Sequence, residues 1–228
     1  MIFNGVNSAD LNLIMGKFPD IPLSSSEYTE EPVEGRNGNL IIDKGTYPNK
    51  TIPIEFSVLD NSIWLNFRRI NDWLQDIKDN RLILDDPERC YRAIKLNLGN
   101  IKREYFNVGK FTVDFICEPF LTDFEEKSVP LASAGNIFYM GTQEGEPIIK
   151  VYGSGNIQLT INNETMVITG VEDMVTIDSK RQQVRDKNGL SKDNETTGDF
   201  PLFTNGNNPI EWTGNVTKVE INYLNLYR

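Results

Sequence analysis

Apolar and polar residues alternate along Gly109-Lys110-Phe111-Thr112-Val113-Asp114-Phe115-Ile116-Cys117, with Phe111, Val113, Phe115 and Cys117 on one side and Lys110, Thr112, Asp114 and Ile116 on the other. A period of two is that of a strand with one buried face. Glu118-Pro119-Phe120 ends it, because proline lacks the amide that a further ladder bond requires. The stretch divides the chain: before it lies the one good helical period, after it only short alternating runs and turns.

In the first half Leu11, Leu13 and Met15 alternate with polar partners, and periodicity is then lost from Pro19 to Asn39. Ser24-Ser25-Ser26, Glu30-Glu31 and Gly35-Arg36-Asn37-Gly38 have the content of an extended surface loop or arm, and a loop of that length is uncommon in a compact domain unless it has a role. Order resumes at Leu40-Ile41-Ile42. Ile52, Ile54, Phe56 and Val58 then mark a strand in which Pro53 points to an edge or a bulge. From Ser62 to Asn80 the period becomes helical, with Ile63, Phe67, Ile70, Leu74 and Ile77 in one stripe. Asp60, Asn61 or Ser62 is placed to cap its first turn. Strands follow at Leu82-Ile83-Leu84, Tyr91 to Leu96 and Ile101 to Phe106.

The second half predicts strands at Ile148–Tyr152, Ile157–Ile161, Met166–Ile168, Val175–Ile177, Ile210–Trp212 and Lys218–Tyr223. Turn signals at Gly153-Ser154-Gly155-Asn156, Asn162-Asn163, Asn188-Gly189, Asn205-Gly206 and Gly214-Asn215 separate them at the spacing of an antiparallel sandwich. With a composition shift near Val129, the 228 residues divide into domains at 1–128 and 129–228. The fold class is mainly β, with one helix and a long arm in the first domain and a β sandwich in the second.

Acidic side chains number 33 against 23 basic ones, a net charge of -10. A spread negative field disfavours phosphate binding, which relies on Lys and Arg, yet it suits a wall that DNA slides past. No apolar run is long enough to span a bilayer, and Met1-Ile2-Phe3-Asn4 lacks the features of a signal peptide, so production in a cytosol is expected. Cys90 and Cys117 both fall in predicted strands and read as buried thiols.

Histidine is absent, which removes the commonest general base and metal ligand. Asp85, Asp86 and Glu88 could serve as paired hydrolytic acids, but Pro87 between them reads as turn chemistry. Asp72, Asp76 and Asp79 on a straight helix do not wrap a cation. Gly153-Ser154-Gly155 lacks the third glycine and the following helix of a dinucleotide loop and reads as a hairpin turn. Trp64, Trp73 and Trp212 read as core packing before sugar stacking. No catalytic residue, cofactor or metal is expected.

In serial order, Met1-Ile2-Phe3-Asn4-Gly5, Glu34-Gly35-Arg36-Asn37-Gly38, the helix from Ser62, Leu84-Asp85-Asp86-Pro87, Gly109 to Phe120, Glu146 to Gly155, Gly198-Asp199-Phe200-Pro201, Asn205-Gly206-Asn207-Asn208 and Trp212-Thr213-Gly214 resemble the distal tail proteins (Dit) of long-tailed phages of Gram-positive bacteria. The resemblance implies a tail-tube-like first domain and a galectin-like second one. It implies a hexameric ring at the virion tail tip, made in the host cytoplasm, whose lumen passes DNA without specific binding. Implied partners are the major tail tube protein, a tail-associated fibre or spike protein and a receptor-binding protein. It gives the arm the task of reaching a neighbour, with Glu34, Arg36 and Asn37 as inter-subunit contacts.

Other readings stay open at this point. A sugar-binding module would use Trp212 or Tyr152 as a stacking platform, the same hub could serve a phage-derived bacteriocin particle, and a carboxylate hydrolase is the weakest of the three.

Overall fold

The computed structural model describes residues 1–59, 63–100, 102–105 and 108–228, with side chains except at 59, 63–65 and 103–105. The proposed caps Asp60, Asn61 and Ser62, and the Trp64 side chain, lie outside the described residues. The chain forms two compact units, Met1–Phe124 with Arg228, and Glu125–Tyr227. As the alternation requires, the fold is mainly β, with one α-helix among the described residues.

In the first unit an antiparallel sheet runs in the order Val6–Asn7, Ile2–Phe3, Arg81–Ile83, Arg89–Leu98, Val108–Cys117, Lys50–Leu59, Leu13–Met15. Phe111, Val113 and Phe115 lie opposite Phe56, Ile54 and Ile52. All six are buried, along with Cys117, so the period of two reports one shared buried face. Pro53 lies beyond the Leu13–Met15 pairing, which covers only Phe56 to Val58. It therefore sits on an edge flank, where a missing donor costs no ladder bond.

The helix Ile63–Gln75 lays Ile70, Trp73 and Leu74 on this face. Trp73 meets Phe3 and Phe56 edge-on at centroid distances of 6.0 and 6.3 Å, and Phe3 meets Phe115 at 5.0 Å. Edge-to-face geometry aligns ring hydrogens with π-faces. Burial of each such ring stabilises the unit by about 1.5–3 kcal/mol.

The helix is shorter than the stripe predicts. It stops at Gln75, and both Phe67 and Ile77 are partly exposed. The cause is Asn4, whose side-chain amide donates to the carbonyls of Trp73 (3.0 Å) and Asp76 (2.8 Å). Its Oδ1 accepts from the amides of Lys78 (2.8 Å) and Asp79 (3.0 Å). One side chain thus satisfies carbonyls that the helix end leaves open and fixes the chain reversal after it.

The second unit is an eight-stranded sheet. Its central strands are Ile148–Ile161 and Gly206–Tyr223, flanked on one side by Lys127–Leu131 and Gly135–Tyr139 and on the other by Glu164–Val171 and Met174–Asp178. Here the turns expected at Gly153–Asn156 and Gly214-Asn215 are corrected, because both strands run through them without reversing. The register slips between Tyr152 and Gly153 and between Ser154 and Gln158, which is how bulges bend a sheet. Glycine is needed for the close approach: a Cβ on Gly153 would lie 2.2 Å from the Asn215 carbonyl oxygen, and one on Gly214 2.4 Å from that of Asn156. The bend brings Ile149, Val151, Ile157, Leu159, Val219 and Ile221 into one core.

A true two-residue reversal does occur at Asn162-Asn163, both with positive φ, joining Ile148–Ile161 to Glu164–Val171. Tyr139 is fully buried; its hydroxyl donates to the Gln143 carbonyl and accepts from the Leu226 amide, each at 2.9 Å.

Candidate functional site

The segment without periodicity is a β-hairpin. Tyr28–Glu31 pairs with Leu40–Asp43 through Tyr28↔Asp43, Thr29↔Ile42, Glu30↔Ile41 and Glu31↔Leu40, and joins no other sheet. Its base is clamped to the first unit. The Ser24 hydroxyl donates to the Pro119 carbonyl at 3.1 Å, Tyr47 meets Phe120 edge-on at 5.0 Å, the Glu27 amide donates to the Thr46 carbonyl and the Lys44 amide to the Glu27 carbonyl, each at 2.9 Å.

The ribbon buries almost nothing of its own. Tyr28, Leu40, Ile41 and Ile42 are all exposed, Ile41 by 63%. Directly opposed residues share a face, so Ile41 lies with Tyr28 and Glu30, while Leu40 and Ile42 lie with Thr29 and Glu31. Both faces therefore carry unburied apolar side chains, and both edges carry unpaired backbone groups. A lone two-stranded hairpin is marginal in water, and an exposed apolar edge is a template for another chain. Order resumes at Leu40-Ile41-Ile42 as the sequence predicts, and the strand formed there pairs back into the arm.

Glu34, Arg36 and Asn37 all lie in the exposed loop that closes this hairpin. The Arg36 amide donates to the Val33 carbonyl at 3.1 Å, with Gly35 at φ +80 and Gly38 at φ +85. These are turn positions that glycine fills without strain. The structure brings the three residues together at one tip and gives none of them a side-chain ion pair among the described residues.

The candidates for chemistry resolve into structural roles. Asp85, Asp86 and Glu88 form a turn in which Asp86 Oδ1 accepts from the Glu88 amide at 2.9 Å. Asp79 leaves the helix and forms a forked pair with Arg81, Nε to Oδ1 at 2.8 Å and Nη2 to Oδ2 at 2.7 Å. That hydrogen bonding holds the Asp79 carboxyl below its ordinary value. Cys90 and Cys117 are free and buried, and burial pushes the Cys117 thiol up to about 12, far from a reactive thiolate. Among the described residues no three acidic or cysteine side chains gather in a way that could hold a metal ion. The Lys218 ammonium lies 5.1 Å from the centroid of Tyr152 and is hydrogen-bonded to Glu220 at 2.9 Å. Trp212 packs half-buried against the second core, and Trp73 is buried in the first.

No family model and no curated protein sequence matches the chain. Among solved structures it is similar to the crystal structure of the SPP1 Dit (gp 19.1) protein, a paradigm of hub adsorption apparatus in Gram-positive infecting phages. The likeness has a TM-score of 0.69 at 13% sequence identity and covers 100% of this chain and 98% of the other. From one end to the other, the chain has the fold of a Dit protein.

Proposed function

We propose that the protein is the structural hub of a phage tail tip, a hexameric ring that joins the tail tube to tail-associated and receptor-binding proteins. The observation that carries this reading is the end-to-end fold likeness to SPP1 Dit, a hub of the adsorption apparatus. The arm supports it independently, since a hairpin with apolar side chains on both faces and unpaired edges has a place only against another chain. The first domain, within 1–128, forms the ring, and the second, within 129–228, is the peripheral platform. Each arm reaches the neighbouring subunit and sets Glu34, Arg36 and Asn37 at the contact. The lumen passes DNA without adsorbing it, helped by the acidic surplus; a channel lined mainly by Lys and Arg would contradict this part. The protein has no enzymatic role and works in the virion, after synthesis in the host cytoplasm.

Sugar stacking on Tyr152 is disfavoured because a cation already covers its ring. Molar mass by light scattering, with electron microscopy of the same sample, tests the reading: a hexamer mass and annular particles are expected. A protein that stays monomeric at every concentration would overturn it. In the ring, Arg36→Glu and Ile41→Lys should each lower the fraction assembled, while monomer stability stays within about 0.5 kcal/mol, the usual range for exposed positions. Full-size rings in both variants would remove the arm from the contact.

A further inference from the structure

Four asparagines precede a glycine: Asn4-Gly5, Asn37-Gly38, Asn188-Gly189 and Asn205-Gly206. This dipeptide is where a side-chain amide is most easily lost, because glycine offers no side chain to hinder its own backbone nitrogen. The Gly nitrogen, having given up its proton, attacks the Asn Cγ; the C–N bond of the side chain breaks and ammonia leaves. Water then opens the cyclic imide at either carbonyl, yielding Asp or isoAsp with no change of oxidation state. Two things slow the reaction in a folded chain: an engaged side-chain amide and an engaged glycine N–H.

Three of the four pairs are held in this way. Asn4 makes the four bonds at the helix end. At Asn188 the nucleophile itself is tied, since the Gly189 amide donates to the Asp186 carbonyl at 3.0 Å and the Asn188 amide to Asp186 Oδ1 at 2.8 Å. The Asn205 side chain donates to the Gly141 carbonyl at 3.0 Å in a part-buried site. Asn37 differs. It is exposed at the arm tip, and among the described residues neither its side chain nor the Gly38 amide has a hydrogen-bond partner.

We infer that Asn37 is the deamidation site of the folded protein, spontaneously converted to Asp and isoAsp while the other three Asn-Gly pairs are protected. The inference does not rest on the hub reading. Where that reading holds, the conversion adds a negative charge among Glu30, Glu31 and Glu34 at the subunit contact, and isoAsp lengthens the backbone of the tip.

The test incubates the full-length protein in mildly alkaline buffer, folded or in concentrated urea, and follows each Asn-Gly peptide by mass spectrometry with isoaspartate detection. In urea all four should convert at similar rates. In the folded protein Asn37 should keep its urea rate to within a few-fold, and the other three should slow by about tenfold or more, since each must first open a hydrogen-bonded site. Asn37→Gln should remove the folded-state signal. Protection of Asn37 equal to that of Asn188 or Asn205 would overturn the inference, whichever chain supplies it. Size measurement on the same sample reports assembly separately, so failure here is distinguishable from failure of the ring.

Discussion

Asn4 and Trp73 hold one another across the end of the helix: the Asn4 side-chain amide donates to the Trp73 carbonyl at 3.0 Å, and the Trp73 indole N–H donates to the carbonyl of Phe3, the residue before Asn4, at 2.8 Å. A first-turn residue of the chain thereby fixes both where the helix stops and how its largest side chain enters the core. Asn4 has φ 50, a left-handed conformation that asparagine tolerates better than other side chains. Asn4→Ala should therefore lower stability by about 2 kcal/mol, as carbonyls and amides lose partners and the backbone is strained. Urea denaturation checks this. A loss below about 0.5 kcal/mol, the scatter of ordinary surface changes, would show that the helix end is held by other means.

Lys50 is 7% exposed and has no carboxylate within ion-pair distance among the described residues; its ammonium lies 5.9 Å from the Tyr91 ring centroid. Burial lowers its pKa from the ordinary value. A charge kept out of water with weak compensation costs stability. Lys50→Met, similar in shape and uncharged, should raise the urea midpoint by about 1 kcal/mol in equivalent free energy. A clear loss of stability in this variant would mean that the ammonium is better satisfied than its surroundings imply.

The Asp79–Arg81 fork makes a pH prediction. The carboxyl is held below its ordinary 3.8 in the folded protein, so the unfolded chain binds a proton first as acid is added. The associated stability is complete above the unfolded value and is lost as pH falls below 3.8 through the folded one. Asp79→Asn should lower stability at neutral pH and flatten the acid limb of a stability-against-pH curve. Parallel curves for the two proteins would exclude this contribution.

Two glycines at the same bend should behave differently. A Cβ at Gly153 would strike backbone at 2.2 Å, while one at Gly155, which has φ +81, would meet open space. Gly155→Ala should cost about 1 kcal/mol for the left-handed conformation. Gly153→Ala should cost more, about 2–3 kcal/mol, because a backbone oxygen cannot step aside cheaply. Thermal melts of the two variants give the order directly, and the reverse order would refute the close approach.

Which elements could be read in advance follows from where water reaches. Val108–Cys117 and Lys50–Leu59 alternate because one face is buried and the other wet, so the letters carry the geometry. Tyr28–Glu31 has no such contrast: water reaches most of both faces, no alternation was required, and the strand was unreadable. Its trace in the sequence is the apolar triplet Leu40-Ile41-Ile42 of the partner strand, where order resumes. The apolar spacing predicts a helix to Asn80 because Ile77 continues it, while the residue that ends the helix, Asn4, lies more than seventy positions away. Glycines at 153, 155 and 214 looked like reversals because a tight bend and a turn ask for the same residue. The arm is legible from its loop content, but the contact role of Glu34, Arg36 and Asn37 comes only from the family resemblance, since nothing in their spacing sets them apart from any solvated loop.

The bend shared by Ile148–Ile161 and Gly206–Tyr223 also governs how the second unit comes apart. Each strand passes through the waist and is laddered to its companion on both sides of it, so neither half owns a separable piece of chain. Fraying one half drags on the bonds of the other, and opening becomes all-or-none. A unit built this way can carry insertions in its outer turns without acquiring a half-open form.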